Sequence, residues 1–263
     1  MTPPPADPEL VEFAVALARD AGRLTLDWFQ RHDLEIETKG DGSPVTAADL
    51  AAETLIRERL ANTFPADGVL GEEQGETGGS SARTWVIDPI DGTKAFIRGV
   101  PLYSTLLSMV DQHGPAIGVI HLPALDETVW AGRGLGCLHD GVPCRVSDTA
   151  AIDLATMTTS GLGYWPDDML SRVLESPMAL RTWGDAYGYA LVATGRAEAM
   201  IDPLAFPWDV APMAVILTEA GGRFTDLDGS DNPGTWRSGS GVATNGILHE
   251  PVLAVLKSST ADG

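Results

Sequence analysis

A short apolar stretch that ends in acidic residues constrains the fold of this chain more than any other feature. Residues 85–87 read Trp-Val-Ile, which is typical of a buried strand, and residues 88–93 follow as Asp-Pro-Ile-Asp-Gly-Thr. Such a strand delivers two carboxylates and a hydroxyl into a tight turn. The segment predicts a site for hard cations or, on the simpler interpretation, an Asp-Pro turn closed by a glycine.

The backbone of the same segment indicates an anion site beside the cation ligands. Asp88 and Asp91 offer carboxylate oxygens to a hard cation, and the carbonyl of Ile90 adds a neutral oxygen. Gly92 lets the backbone approach a ligand closely. If a helix begins at Thr93, the amides of Gly92 and Thr93 point at an anion with the helix dipole behind them. The pattern predicts a phosphate site next to a metal site.

Further acidic residues follow predicted elements elsewhere. Glu72 and Glu73 come after a short apolar strand, Asp209 stands at the start of a predicted helix at residues 210–220, and Asp49 completes a capping-box pattern that begins at Thr46. We expect Glu73 to be solvated. Asp49 and Asp209 fit helix caps as well as site residues, and the two roles do not exclude each other.

The net charge of −20 limits the ligands of this 263-residue chain. It argues against binding to nucleic acid or to an anionic membrane, because phosphate groups would be repelled. A phosphorylated substrate would need its charge met locally, and cations held by clustered carboxylates would do this. Solubility or salt adaptation explains the acidity equally well. Since the chain shows neither a signal-peptide pattern nor an apolar stretch long enough to span a membrane, we expect a cytoplasmic protein.

The order of predicted elements favours a layered α+β fold. An amphipathic helix at residues 8–28 comes first, the middle of the chain is mainly sheet, and helices are predicted at 185–193 and 210–220. Strands and helices alternate without a strict βαβ order. We expect one domain over residues 1–263, with an N-terminal lobe at about 8–150. The C-terminal lobe, at about 151–257, carries Asp185, Asp202 and Asp209.

Taken together, these motifs resemble the inositol-monophosphatase family in order and spacing, from about the first helix to Asn245. The residues that carry the resemblance are Lys39, Asp49, Gly71-Glu72-Glu73, Asp88 to Thr93, Trp208-Asp209-Val210-Ala211 and Glu219-Ala220-Gly221-Gly222. The family implies an α-β-α-β-α sandwich, a homodimer, and up to three Mg²⁺ ions, with Mn²⁺ as a possible substitute. No nucleic acid or membrane partner is expected.

The resemblance also implies roles for individual residues. One ion would be bound by Glu72, Asp88 and the Ile90 carbonyl, a second by Asp88, Asp91 and Asp209, and a third, weaker one by Glu72 and water. Catalysis is assigned to Glu72, Thr93 and Asp49. A hydrogen bond between Thr93 and Asp49 would orient a metal-activated water for in-line attack on a phosphate ester. Substrate binding is assigned to Gly92, Thr93, Asp91, Asp185, Asp202 and Asp209.

Two segments look like the histidinol-phosphatase branch of this family. Residues 93–101 and 181–189 carry the likeness, and the inositol branch usually has a small neutral residue at the position of Asp185 and a glutamate at that of Asp202. Histidinol phosphate carries an ammonium group, so an additional carboxylate is chemically sensible. The resemblance implies hydrolysis of histidinol phosphate to histidinol and phosphate.

Other functions stay open at this point. Inositol 1-phosphate is the first alternative substrate. Nucleotide 3′-phosphates and fructose 1,6-bisphosphate are less favoured alternatives. A metal-stabilised interaction protein without turnover is the alternative of a different class. It is disfavoured because no expected ligand is missing.

Overall fold

The structure, a computed structural model, describes residues 2–40 and 42–257 of the chain. Its first two helices begin where the sequence supplies caps: Asp7 accepts a hydrogen bond from the amide of Glu9 at 3.0 Å, and Thr46 accepts one from the amide of Ala48 at 3.2 Å. The described helices are α1 (Pro8–Thr25), α2 (Ala47–Thr63), α3 (Thr93–Phe96), α4 (Asp167–Glu175), α5 (Asp185–Ala193), α6 (Pro207–Glu219) and α7 (His249–Leu256).

The described strands form three sheets. They are β1 (Ile36–Thr38), β2 (Pro44–Thr46), β3 (Gly68–Gly71), β4 (Gly75–Thr77), β5 (Thr84–Asp91), β6 (Ser104–Asp111), β7 (Gly114–Leu122), β8 (Glu127–Gly132), β9 (Gly136–His139), β10 (Val142–Pro143), β11 (Thr156–Thr158), β12 (Ala179–Arg181), β13 (Ala199–Asp202), β14 (Arg223–Thr225) and β15 (Gly241–Thr244). The large sheet has the order β10-β9-β8-β7-β6-β5-β3-β4 and the small one β12-β11-β13-β15-β14, while β1 pairs with β2.

Helices and sheets alternate in layers. The apolar faces of α1 and α2 pack on one side of the large sheet. Helices α5 and α6 fill the space between the large and the small sheet, and α4 and α7 cover the outer side of the small sheet. The predicted layered α+β fold, an α-β-α-β-α sandwich, is confirmed. None of the described helices is long and apolar enough to cross a membrane.

Strand β5 divides its side chains between two cores. Trp85 and Ile87 pack against α1 and α2, whereas Val86 faces α5 and α6. Because side chains alternate along a strand, Asp88 lies on the same side as Val86. The strand is longer than predicted: it continues to Asp91, since β6 pairs with both aspartates across an irregularity in register. Pairing with β6 therefore fixes the backbone of the motif.

The other predicted boundaries are close to those observed. Helix α3 begins at Thr93 and α5 spans Asp185–Ala193, both as expected. Helix α1 ends at Thr25, three residues before Trp28, and α6 begins at Pro207 instead of residue 210. Proline suits the first turn of a helix because it lacks an amide hydrogen, which would be unpaired there.

Candidate active site

A cavity of about 320 Å³ lies where β3 and β5 end and where α3, α5 and α6 begin. Its volume is near the lower end of the range of about 300–1,000 Å³ for small-molecule sites. All residues assigned to the site from the sequence line it, except Asp49: Glu72, Asp88, Ile90, Asp91, Gly92, Thr93, Asp185, Asp202 and Asp209. The cavity is also lined by residues for which the sequence predicts no site role, among them Lys94, Ser160, Tyr164, Tyr189, Leu204 and Phe206.

Three carboxylates form the centre of the cavity. Asp88, Asp91 and Asp209 each place an oxygen within 4.8 Å of the others. Asp91 Oδ2 accepts hydrogen bonds from Ser104 Oγ at 3.0 Å and from the Ala186 amide at 2.7 Å. Asp209 Oδ2 accepts one from the Phe206 amide at 2.7 Å. These bonds hold the carboxylates in place and come from three different elements.

The electrostatics of this cluster favour the binding of a cation. Burial, followed by repulsion from neighbouring acids, raises the pKa of Asp88 and of Asp91 well above the ordinary value. Burial likewise raises the pKa of Asp209 to about 8. Asp88 Oδ1 is buried and has no hydrogen-bond partner among the described residues. An acceptor left open in a crowded group of carboxylates fits a hard divalent cation, whose preferred ligands are oxygens.

Glu72 is held at the edge of the cavity by a lysine. Lys39 Nζ lies 2.7 Å from Glu72 Oε1 and 2.6 Å from Glu73 Oε1. The expectation that Glu73 is solvated is wrong: its side chain is only 4% exposed, and its amide donates to Glu53 Oε2 at 2.8 Å. Glu53, which is fully buried, positions the turn after β3 by accepting from the amides of Glu73 and Gln74, and no sequence pattern predicts this role.

The expected hydrogen bond between Thr93 and Asp49 is not formed among the described residues. The Thr93 hydroxyl donates to the Ile90 carbonyl at 3.0 Å, and Asp49 Oδ2 accepts from the amide and hydroxyl of Thr46 at 2.8 and 2.6 Å. Asp49 therefore completes the capping box of α2, as its spacing predicted. Its other oxygen, Oδ1, is buried without a partner, and burial raises the pKa of Asp49 to about 6.

A second acidic group lines the cavity beside Gly92. Asp185 Oδ2 would lie 3.0 Å from a Cβ atom added to Gly92, whose φ of +81° also favours glycine. The amide of Asp185 donates to Ser160 Oγ at 2.9 Å, and Ser160 Oγ donates to Asp202 Oδ1 at 2.6 Å. Burial raises the pKa of Asp185, and it raises the pKa of Asp202 to about 7. Ser160 thus connects both predicted substrate acids, although its sequence neighbours give it no distinguishing pattern.

We expect the metal-free protein to melt at a lower temperature at pH 8.5 than at pH 6.5. Folding raises the pKa values of Asp49, Asp202 and Asp209 to about 6, 7 and 8, whereas aspartate in an unfolded chain titrates near 4. Their contribution to stability is complete below pH about 4 and is lost as the pH rises through the folded-state values. A loss of 1 kcal/mol lowers the melting temperature by about 2–4 °C for a chain of this size.

The comparison begins at pH 6.5 because of two histidines. Burial lowers the pKa of His121 and of His249 from 6.5 to about 4, so their destabilising effect is small at pH 6.5 and grows as the pH falls further. Calorimetry with chelator at the two pH values measures the effect, and added Mg²⁺ should reduce it. Asp209→Asn should flatten the dependence, while Asp153→Asn, at an exposed position, should not. An equal or higher melting temperature at pH 8.5 would contradict the charge argument.

Comparison with known proteins identifies relatives of this arrangement. The chain matches the inositol monophosphatase family over residues 7–261. A histidinol-phosphatase from Mycobacterium tuberculosis is 41% identical over 252 residues, which cover 92% of this chain and 96% of that protein. A fructose-1,6-bisphosphatase/inositol-1-monophosphatase from Thermotoga maritima is 31% identical over 247 residues, 94% of this chain and 95% of that protein. A solved IMPase structure from Thermotoga maritima has a TM-score of 0.85 at 30% identity and covers 94% of this chain and 96% of its own. The chain therefore belongs to the inositol monophosphatase family.

Proposed function

We propose that this phosphoric monoester hydrolase cleaves histidinol phosphate to histidinol and phosphate, with Mg²⁺ as its cofactor. The observation that carries the proposal is the placement of Asp185. Its carboxylate lies partly buried beside Gly92 in the cavity, and the attraction of Lys94 does not offset the effect of burial, so the pKa of Asp185 stays raised. A substrate with an ammonium group close to its phosphate would supply an additional positive charge. The histidinol-phosphatase from Mycobacterium tuberculosis supports the same substrate.

The carboxylates at the centre of the cavity fit the proposed cofactor. Up to three Mg²⁺ ions, or Mn²⁺ in their place, would be held by Glu72, Asp88, the Ile90 carbonyl, Asp91 and Asp209. Bound there, the ions supply a water made more acidic and neutralise charge on the phosphoryl group. The open oxygen Asp88 Oδ1 supports this arrangement because it is a buried acceptor without a donor among the described residues.

The protein's own groups would orient the ester. The amides of Gly92 and Thr93 lie at the start of α3, where a phosphate can accept hydrogen bonds. Asp185 would receive the ammonium group, and Ser160 keeps both Asp185 and Asp202 in place. Lys94 hydrogen-bonds to the hydroxyl of Tyr164, and its positive charge partly offsets the effect of burial on the pKa of Asp185. Thr93 and Asp49 would accept or hold a proton of the attacking water.

The proposal extends to the organisation of the protein. The core between the two sheets contains residues of both lobes, which supports a single phosphatase domain. The net charge of −20 disfavours nucleic acid and anionic membranes as partners. A cytoplasmic homodimer, the assembly implied by the family, completes the proposal, and sedimentation of the purified protein tests its dimeric state.

Asp185→Asn tests the substrate. The substitution keeps the shape of the side chain and removes its charge, so kcat/KM for histidinol phosphate should fall about 10–100-fold, since a hydrogen bond to a charged group contributes about 1.5–3 kcal/mol. An aryl phosphate, which lacks the amine, should be nearly unaffected. Phosphate release from both esters, with Asp153→Asn as the matched control, measures the difference.

Two outcomes would argue against histidinol phosphate. Equal losses on the two esters would mean that Asp185 supports the site generally. Faster hydrolysis of inositol 1-phosphate in a panel of esters would favour the alternative, to which the relative from Thermotoga maritima points. If no ester is hydrolysed with Mg²⁺ or Mn²⁺, the result favours the alternative of a non-catalytic interaction protein.

A further inference from the structure

One wall of the cavity is apolar although its centre is acidic. Leu204 and Phe206, on the segment between β13 and α6, line the cavity together with Trp208 from the first turn of α6. Leu204 is 52% exposed and Phe206 is 45% exposed, so both present apolar surface to the cavity. Burial of these surfaces against an apolar group of a ligand would be favourable.

The aromatic pair on this wall has a defined geometry. The rings of Phe206 and Trp208 are stacked, with centroids 5.3 Å apart and an angle of 13° between their planes. Trp208 supports one face of the Phe206 ring, and Phe206 remains half-exposed. The Phe206 amide donates to Asp209 Oδ2 at 2.7 Å, so the backbone that carries the ring is held beside this carboxylate. The pair thus presents an aromatic surface to the cavity that contains the acidic centre.

A further aromatic ring, from a different segment, lines the same cavity. Tyr164 is 47% exposed and comes from the short turn Leu162–Tyr164. Lys94 Nζ lies 4.9 Å from the centroid of its ring and also bonds to its hydroxyl, which restrains the ring. The cavity therefore combines carboxylates at one end with restrained aromatic surfaces from two segments.

A flat, weakly basic ring fits this combination better than a polyol does. Aromatic rings favour offset or edge contacts at centroid distances of about 4.5–7 Å, and a ring that carries positive charge gains an additional attraction. Asp202, which lines the same cavity, favours such a charge. Hydroxyl groups, in contrast, would lose hydrogen bonds to water against these surfaces without replacing them.

We propose that Phe206, supported by Trp208, is a specificity-determining residue that binds a flat, weakly basic heteroaromatic ring of the substrate. This inference rests on the proposed function, in which the ring is the imidazole of histidinol phosphate. Phe206 would contact the imidazole ring and Asp185 would bind the ammonium group. The two residues therefore recognise different parts of one substrate molecule.

The test compares histidinol phosphate with 2-aminoethyl phosphate, which has the phosphate and the amine but no ring. We expect Phe206→Leu to lower the ratio of the two kcat/KM values, histidinol phosphate over 2-aminoethyl phosphate, by about three- to tenfold. Phe206→Tyr keeps the ring and should retain most of the ratio. Leu154→Ala, which removes an exposed apolar side chain outside the cavity, is the matched control.

The outcomes separate this inference from the function on which it rests. If the wild type prefers histidinol phosphate and Phe206→Leu leaves the ratio unchanged, the aromatic surface is not a ring site and the proposed function stands. If Phe206→Tyr lowers the ratio of the kcat/KM values as much as Phe206→Leu does, the aromatic ring at position 206 does not determine the preference for histidinol phosphate. If the wild type does not turn over histidinol phosphate faster than 2-aminoethyl phosphate, the proposed function fails and the inference fails with it.

Discussion

Asp91→Asn is expected to lower kcat/KM by more than about a hundredfold at saturating Mg²⁺ without destabilising the metal-free fold. Loss of a group that only orients a metal ligand lowers metal affinity or activity by about 10–100-fold. Asp91 is proposed to bind the metal itself, so its loss should cost more. The stability should be retained for two reasons. The amide oxygen of Asn can keep the hydrogen bonds from Ser104 Oγ and the Ala186 amide, and removal of one charge reduces repulsion with Asp209.

Two measurements check this expectation. Phosphate release is followed during a Mg²⁺ titration, and the melting temperature is recorded with chelator at pH 8.5. Asp153→Asn, an exposed change of the same chemistry, should affect neither quantity. The wild type should lose activity with chelator and regain it with Mg²⁺ or Mn²⁺. Full activity of the chelated enzyme would exclude the metal mechanism, and a clear drop in the melting temperature of the variant would contradict the repulsion argument.

Thr93→Ala and Asp49→Asn are expected to lower kcat by about 10²–10⁴-fold each, and the double variant should be little slower than either single one. This range is typical of groups that move or hold a proton in the transition state. Groups that act as a unit are not additive. In the structure Thr93 bonds to Ile90 and Asp49 to Thr46, so the pair would form only when the site is loaded. Asp49 Oδ1, buried and unpartnered, is the acceptor that remains for it.

Thr46→Ala provides the control for the capping role of Asp49. It removes the hydroxyl that binds Asp49 Oδ2 and the cap on the Ala48 amide, and it should cost about 0.5–2 kcal/mol of stability. Its effect on kcat should be far smaller than that of Asp49→Asn. Single-turnover rates and unfolding curves of all four variants separate the two roles. If the losses from Thr93→Ala and Asp49→Asn multiply, Asp49 is a helix cap and no more.

Features that depend on neighbouring residues were predictable from the sequence. The apolar run at residues 85–87, followed by Asp88 and Asp91, predicted a buried strand with acids at its end, because a short apolar run is typical of a fully buried strand. The capping box at Asp49 and the helix start at Thr93 follow equally local rules. With the predicted helix start after Asp209, these patterns pointed to the three carboxylates at the centre of the cavity, and the resemblance to the family supplied their roles.

Features that depend on packing between distant segments were decided by the tertiary structure alone. Ser160 reaches Asp202 across 42 positions of the chain, and Lys39 reaches Glu73 across 34, which buries an acid that the sequence predicted to be solvated. Only the tertiary structure, in which α6 lies between the two sheets, shows that the exposed ring of Phe206 lines the cavity. The physical reason is that hydrogen bonds and ring contacts require distances of a few ångströms, and these distances between remote residues are set by how the layers pack, not by local periodicity.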